Sequence, residues 1–176
     1  MIEIKKITEE NKQDLNIPNE PFQMPGRLIP TLQDGVWSYR TETFPEIATM
    51  VFPDENYDFD EISAKGVIYG AYEDEQCIGV AVYQDYFLKH MYLYDLKVNA
   101  SARGKGVGKL LIEAGMEAAK ERGYKGLYTV AQDNNLNACM FYLSAGFDIG
   151  GFDNRVYDGT SQEGKSDIIF YKNKGR

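Results

Sequence analysis

Apolar and polar residues alternate over Met1-Ile2-Glu3-Ile4-Lys5-Lys6-Ile7, and that period of two predicts a strand rather than a signal peptide. Thr8-Glu9-Glu10-Asn11 then has the form of a helix start, with Thr8 as N-cap and Asn11 where a capping box carries Glu or Gln. Any helix there is short, because Pro18, Pro21, Pro25 and Pro30 punctuate the next stretch of chain. Asn16 to Pro30 is therefore expected to be an ordered loop or a pair of short turns. Gly35 to Arg40 carries the single tryptophan, Trp37, and Phe44 to Pro53 fits either a short helix or a strand. From Gly66 the pattern sharpens. Gly66 to Tyr72 and Cys77 to Tyr83 read as two strands joined by the polar turn Glu73-Asp74-Glu75-Gln76, a hairpin. His90 to Val98 is a third strand, rich in strand formers.

Val107, Leu110, Leu111, Ala114 and Ala118 recur at helical spacing, and Gly123 supplies the C-cap. Gly126 to Ala131 is a strand and Asn135 to Ala145 a helix closed by Gly146. Phe147 to Phe152, Arg155 to Tyr157 and Ile168 to Tyr171 supply terminal strands. With no internal repeat and no linker, this order predicts one α/β (α+β) domain over residues 1–176. Its sheet is mostly antiparallel, with a helix-linked β-α-β unit inside it.

Composition narrows the classes. A chain of 176 residues suits one hydrophobic core. No run of apolar residues reaches the roughly 18–20 that a membrane span requires. A formal charge of −8 argues against nucleic acid as partner and fits a cationic small molecule, although acidity also serves solubility alone. Cys77 and Cys139 have neither disulfide-framework nor metal-ligand spacing, which fits a reducing, cytoplasmic setting and no metal cofactor.

The segment between the third strand and its helix, Arg103-Gly104-Lys105-Gly106-Val107-Gly108-Lys109, has the chemistry of a phosphate-binding loop. Glycines let the backbone approach a ligand, unpaired N–H groups and the helix dipole stabilise phosphate oxygens, and the flanking cations add to this. Two common phosphate loops do not fit. A Walker A loop needs Gly at position 103 and Ser or Thr at 110, where Arg103 and Leu110 stand. A dinucleotide fingerprint needs its third glycine one residue later than Gly108.

The loop resembles the Gln/Arg-x-x-Gly-x-Gly/Ala signature of the GNAT superfamily of N-acetyltransferases. Asn137 to Phe147 resembles that family's Asn-x-x-x-x-Tyr…Gly-Phe element, in the correct order and at the expected separation. The resemblance implies a mostly antiparallel sheet of six or seven strands flanked by helices, with a splayed central pair, and acetyl-CoA as co-substrate. It also implies that Leu96 and Val98 bind pantetheine through backbone groups, that Arg103 through Lys109 cradle the pyrophosphate, and that Asn137 bonds the cofactor arm. Tyr142 would then protonate the departing thiolate, its alternative being a packed aromatic. Asn19 to Phe22, Gly26 to Pro30, Trp37 to Tyr39 and Tyr92 to Val98 are further similar to the streptothricin acetyltransferases. That similarity implies acetylation of a β-lysine amine.

The amine must be neutral to attack. Its proton acceptor is open between Asp95, which also fits a structural hydrogen bond, and a water chain. The sole histidine, His90, lies too far along its strand. Glu20, Glu42 and Asp85 are candidate anchors for cationic groups. Trp37, Tyr39, Tyr69 and Tyr83 are candidates for a pocket or for core. Tyr157 and Tyr171 would complete an acceptor pocket or a homodimer interface. Other amines (a polyamine, an aminoglycoside, a protein N-terminus) and a non-catalytic acyl-CoA-binding module stay open as alternatives.

Overall fold

A computed structural model describes residues 1–175. In chain order the strands and helices are β1 (Glu3–Lys6), a 3₁₀ segment (Glu9–Asn16), β2 (Phe22–Gln33), β3 (Val36–Met50), α1 (Phe59–Ala64), β4 (Gly66–Glu73), β5 (Gln76–Gln84), β6 (His90–Val98), α2 (Val107–Glu121), β7 (Gly126–Gln132), α3 (Leu136–Ser144), β8 (Asp148–Asp153) and β9 (Asp167–Asn173). Seven strands form a mostly antiparallel sheet in the order β1-β4-β5-β6-β7-β9-β8, and β2 pairs with β3 in a separate two-stranded sheet. The chain forms two compact units: residues 1–20 with 51–127, and residues 21–50 with those from 128 onward.

In the first unit, alternation along β5 sends successive side chains to opposite faces. Val80 and Val82 join Ile7, Leu15, Ile62, Ile68, Tyr72 and Cys77 in one apolar cluster, beneath the 3₁₀ segment and α1. Gly79 and Tyr83 face α2 instead. A Cβ on Gly79 would stand 3.1 Å from the Val107 side chain and 3.3 Å from the Leu111 side chain. Tyr83, fully buried, donates its hydroxyl hydrogen to the Leu111 carbonyl at 2.8 Å, and its ring lies against Gly115. Gly123 closes α2 in the left-handed conformation (φ +81°), and the Tyr124 N–H reaches back to the Ala119 carbonyl at 2.9 Å. Asp74 (φ 49°) and Glu75 (φ 66°) make the tight turn between β4 and β5.

The register of β6 against β5 breaks once: Tyr83 faces Leu93 and Val82 faces Asp95, so Tyr94 is an inserted residue, a β-bulge. The apolar pattern does not predict α1, although Asp58, whose carboxylate accepts from the Glu61 N–H at 3.0 Å, begins an Asp-x-x-Glu start signal.

The second unit corrects two expectations. Residues 22–33 are a twelve-residue strand, not a loop or pair of turns. Prolines are tolerated because a two-stranded sheet has only one ladder to lose a donor from. Pro25 and Pro45 both fall in the register break between Met24 and Gly26, whose partners are Ala48 and Thr43. Counting from the hydrogen-bonded pair Gln33–Val36 beside the two-residue turn Asp34-Gly35, Pro30 opposite Tyr39 occupies a pair whose N–H groups point outward. Leu28 shares that parity, and its N–H donates to the Asp133 carbonyl at 3.0 Å. Residues 44–50, open between helix and strand, continue β3.

Arg155 to Tyr157 is turn rather than strand. The Arg155 N–H bonds the Asp153 carboxylate at 2.9 Å, and turns closed by Arg155 with Asp158 and Tyr157 with Thr160, each at 3.0 Å, take the chain off the sheet. The other terminal strands stand as β8 and β9.

A Cβ on Gly115 would overlap the rigid, fully buried Tyr83 ring. Gly115→Ala should destabilise the protein by ~1–3 kcal/mol, as overpacked cores do. Urea titration of wild type and variant should show a lower midpoint at an unchanged slope.

Candidate functional site

The first unit carries the glycine loop. Gly104 (φ +79°) and Gly106 (φ +82°) are both left-handed, and a Cβ at either would meet nothing within 4 Å. Glycine is needed there for backbone conformation rather than for room. Gly106 is the N-cap of α2, and its carbonyl accepts the first helical bond, from Leu110, at 3.1 Å. The N–H groups of Val107, Gly108 and Lys109 therefore precede the first helical hydrogen bond, and they emerge at the positive end of a fifteen-residue helix. Val107 and Gly108 are buried against the sheet while Arg103 to Gly106 are exposed. That is a rigid helix end with an open loop in front of it, a donor set suited to a diphosphate. Lys105 lies 3.9 Å from Glu73, and the Arg103 Nε donates to the Val98 carbonyl at 3.4 Å. Leu96 and Val98, half-buried, face Ala81 and Gly79 across β5.

Asp95 follows the bulge and is the centre of a charged and phenolic cluster in the same unit. The Tyr57 hydroxyl donates to its Oδ2 at 3.0 Å. Lys97 Nζ is 4.0 Å from Asp95 but 2.7 Å from Glu55 Oε2, and it also donates to the Ile17 carbonyl at 3.3 Å. Burial, reinforced by Glu55, pushes the Asp95 carboxyl above its ordinary range, although Lys97 and the Tyr57 hydrogen bond pull the other way. Tyr57 is itself raised well above an ordinary phenol by burial and by Asp95. For Glu55, burial is outweighed by hydrogen bonds from Asn19 and Lys97, so its carboxyl is lowered. Tyr57 and Glu55 were invisible in the sequence, because they meet β6 from about forty residues upstream and carry no motif.

The second unit carries Asn137 and Tyr142 on α3. Asn135 is the N-cap, accepting from the Ala138 N–H at 3.3 Å, whereas Asn137 is exposed and its amide donates to the Gln23 carbonyl at 3.4 Å. Tyr142 is buried, with Phe147 and Phe170 packed at ring-centroid separations of 5.4 and 5.5 Å. Gly146, left-handed at φ +91°, turns the chain so that the Phe147 N–H closes on the Tyr142 carbonyl at 3.0 Å. The Gly-Phe pair of the motif therefore holds the tyrosine from both its backbone and its ring.

Several other candidates have structural partners. Asp85 is gripped by both its oxygens by Arg122 at 2.9 and 2.8 Å, Glu42 pairs with Arg27 at 3.2 Å, and Glu20 accepts from the Ala100 N–H at 3.2 Å. Tyr83 is core, with half-buried Tyr69 edge-on to it at 6.2 Å. Trp37 is half-buried and Tyr39 exposed on the hairpin, and His90 is the first residue of β6. Tyr157 donates to Asp167 at 2.7 Å and accepts from Gln132 at 3.0 Å, while Tyr171 packs on Tyr128 at 5.4 Å. Cys77 and Cys139 are free and buried, with thiols pushed by burial to about 11 and about 12, so both are poor nucleophiles at neutral pH. Among the described residues no group of His, Cys, Asp and Glu is arranged to hold a metal, and no helix is long and apolar enough to cross a membrane.

Residues 33–147 match the profile of the acetyltransferase (GNAT) family. Streptothricin acetyltransferase A of Bacillus subtilis (strain 168) is 33% identical over 169 residues, covering 96% of this chain and 98% of that protein. A streptothricin acetyltransferase of Escherichia coli is 31% identical over 114 residues, 65% of this chain and 64% of its own. The crystal structure of a putative streptothricin acetyltransferase from Bacillus anthracis str. Ames, in complex with acetyl coenzyme A, superposes with a TM-score of 0.87 at 28% identity, over 98% of both chains. With its glycine loop opening α2, its α3 element ending in Gly146-Phe147 and these relatives along nearly its whole length, the chain belongs to the acetyltransferase (GNAT) family, enzymes that transfer an acetyl group from acetyl-CoA to an amine.

Proposed function

We propose that this enzyme acetylates the β-lysine amine of streptothricin, and so inactivates the antibiotic. The observation that carries the choice of acceptor is the 33% identity to Streptothricin acetyltransferase A across 96% of the chain. The exposed carboxylates and the chain's formal charge of −8 support a cationic acceptor.

In this reading the N–H groups from Arg103 to Lys109 hold the donor's diphosphate. Leu96 and Val98 offer backbone groups to its pantetheine arm, and Asn137 adds an amide to that arm. The donor supplies a thioester. Asp95 takes a proton from the acceptor's ammonium group, freeing the nitrogen lone pair to attack the carbonyl carbon. As the new C–N bond forms and the C–S bond breaks, Tyr142 gives its phenolic proton to the departing thiolate and is reprotonated by the second proton that the acylated nitrogen loses. The raised carboxyl of Asp95 favours the first step, since a carboxylate with a higher pKa is a stronger base towards an amine. The burial and high pKa of both thiols favour direct transfer over an acetylated cysteine.

Acetyl transfer to streptothricin, measured by thiol release beside lysine, spermidine, an aminoglycoside and a peptide N-terminus, should select streptothricin. Equal or better rates on another amine would replace the acceptor. Tyr142→Phe should lower kcat about 10²- to 10⁴-fold, the usual worth of a general acid, with little change in KM for acetyl-CoA. An unchanged kcat would return Tyr142 to a packing role.

Asp95→Asn separates chemistry from stability. A carboxyl raised in the folded state binds more protons there than in the unfolded chain, so its contribution to stability falls as pH rises through its folded pKa. The amide keeps an acceptor for Tyr57 without the buried charge. Thermal melts at neutral pH should show the variant no less stable than wild type while kcat/KM collapses. Retained turnover would point to water as the proton acceptor.

A further inference from the structure

An aromatic row runs along the exposed side of the first unit and ends at Asp95. Tyr86 lies tilted against Phe87 with centroids 4.7 Å apart, Tyr86 meets Tyr92 at 5.7 Å, Tyr92 meets Tyr94 edge-on at 5.8 Å, and Tyr94 meets Tyr57 at 6.2 Å. Tyr57 closes the row by donating to the Asp95 carboxylate at 3.0 Å. The bulge makes this continuity possible. Because Tyr94 is inserted between Leu93 and Asp95, the residue before the carboxylate and the carboxylate itself both meet Tyr57.

Tyr94 is 44% exposed, and Tyr57, Tyr86 and Tyr92 are half-buried, so rings bulky enough to make core are held at the surface. Charge at the end of the row is also unbalanced. Lys97 lies 2.7 Å from Glu55 but 4.0 Å from Asp95, so its charge is largely taken by Glu55 and the cluster of two carboxylates and one ammonium is left with net charge −1. A row of mutually tilted, half-exposed rings leading to a partly desolvated carboxylate that shares its lysine with Glu55 suits one class of ligand, an organic cation with an apolar stem.

We propose that Tyr94, Tyr92 and Tyr86 form a subsite for a second cationic group of the acceptor, set several bonds back from the nitrogen acetylated, and that Tyr57 is the positioning residue that orients Asp95 at its inner end. The proposal deepens the amine-acetyltransferase reading and rests on it. It assigns the enzyme to acceptors with at least two cationic centres, separated by a flexible stem that lies along the rings. A singly charged amine of the same length engages Asp95 alone. Tyr57 packs its ring against the apolar cluster under α1 and presents only its hydroxyl to Asp95, so it fixes the carboxylate from a rigid base. The groups facing that carboxylate are Tyr57 and Glu55 from the segment before α1, and Lys97 and the Leu96 N–H from β6 itself.

The test uses full-length protein, acetyl-CoA and three acceptors: streptothricin, 1,6-diaminohexane and hexylamine. Wild type should prefer the diamine to the monoamine in kcat/KM. Tyr94→Leu should raise KM for the two polycations about 2- to 30-fold, the range of a lost cation–π contact, and so remove the preference for the diamine over hexylamine. Tyr94→Phe, which keeps the ring, should restore the preference. Tyr57→Phe should move the acid limb of the kcat/KM profile to higher pH, because the lost hydrogen bond had favoured the ionised carboxylate. A diamine preference without activity on streptothricin would leave the subsite standing and remove only the named acceptor. Equal rates on diamine and monoamine, a preference that survives Tyr94→Leu, or an unmoved acid limb in Tyr57→Phe would overturn the proposal. Transfer to none of the three would overturn it together with the reading beneath it.

Discussion

Two glycines, Gly79 on β5 and Gly115 on α2, let the helix backbone lie against the sheet where larger residues would hold it off. That approach sets the height of the helix start. Val107 and Leu111 sit almost without exposure against the strand, so the turn before them, with Gly104 and Gly106 left-handed, is anchored at its inner end and open at its outer one. A loop of glycines alone would be floppy. Fastened to a seated helix, it keeps its N–H groups pointing one way, and the entropy of ordering them is spent in folding rather than in binding.

The same strand that feeds this loop also carries the acidic cluster, and the bulge at Tyr94 separates the two functions. Upstream of it, β6 alternates in the ordinary way, with Met91 and Leu93 buried. Downstream, Asp95 and Lys97 meet the segment around Glu55 and Tyr57, while Leu96 and Val98 keep their register with Ala81 and Gly79. A carboxylate with a raised pKa persists there because Lys97 and Tyr57 recover part of the cost of burying it.

How much could be read in the sequence depends on how local each feature is. The period of α2, its glycine start and stop, and the Gly146-Phe147 closure of α3 all act within a few residues, and each stands where the pattern placed it. The β4–β5 hairpin was equally plain, because its turn and its alternation are adjacent. The β2 strand was hidden by prolines whose cost depends on which way each N–H would point, a matter of pairing parity that no single segment records. Tyr57 and Glu55 were hidden for a related reason: their meaning comes from residues 38 and 42 positions away. Tyr83 offered the opposite lesson, since a tyrosine hydroxyl needs only one backbone carbonyl to be content in a core.

The β2–β3 hairpin exposes Leu32, Val36 and Ile47 and is long enough to template a further strand. Its outward N–H at Leu28 is already spent on Asp133, and the next outward position on β2 is Pro30, which has none to give. Pro25 and Pro45 break the register at the other end. An incoming chain on the β2 edge would find rungs missing at Leu28 and Pro30. The residues that disguised the strand also guard it against edge-to-edge aggregation, so their replacement by β-branched residues would cost the enzyme solubility before it cost it fold.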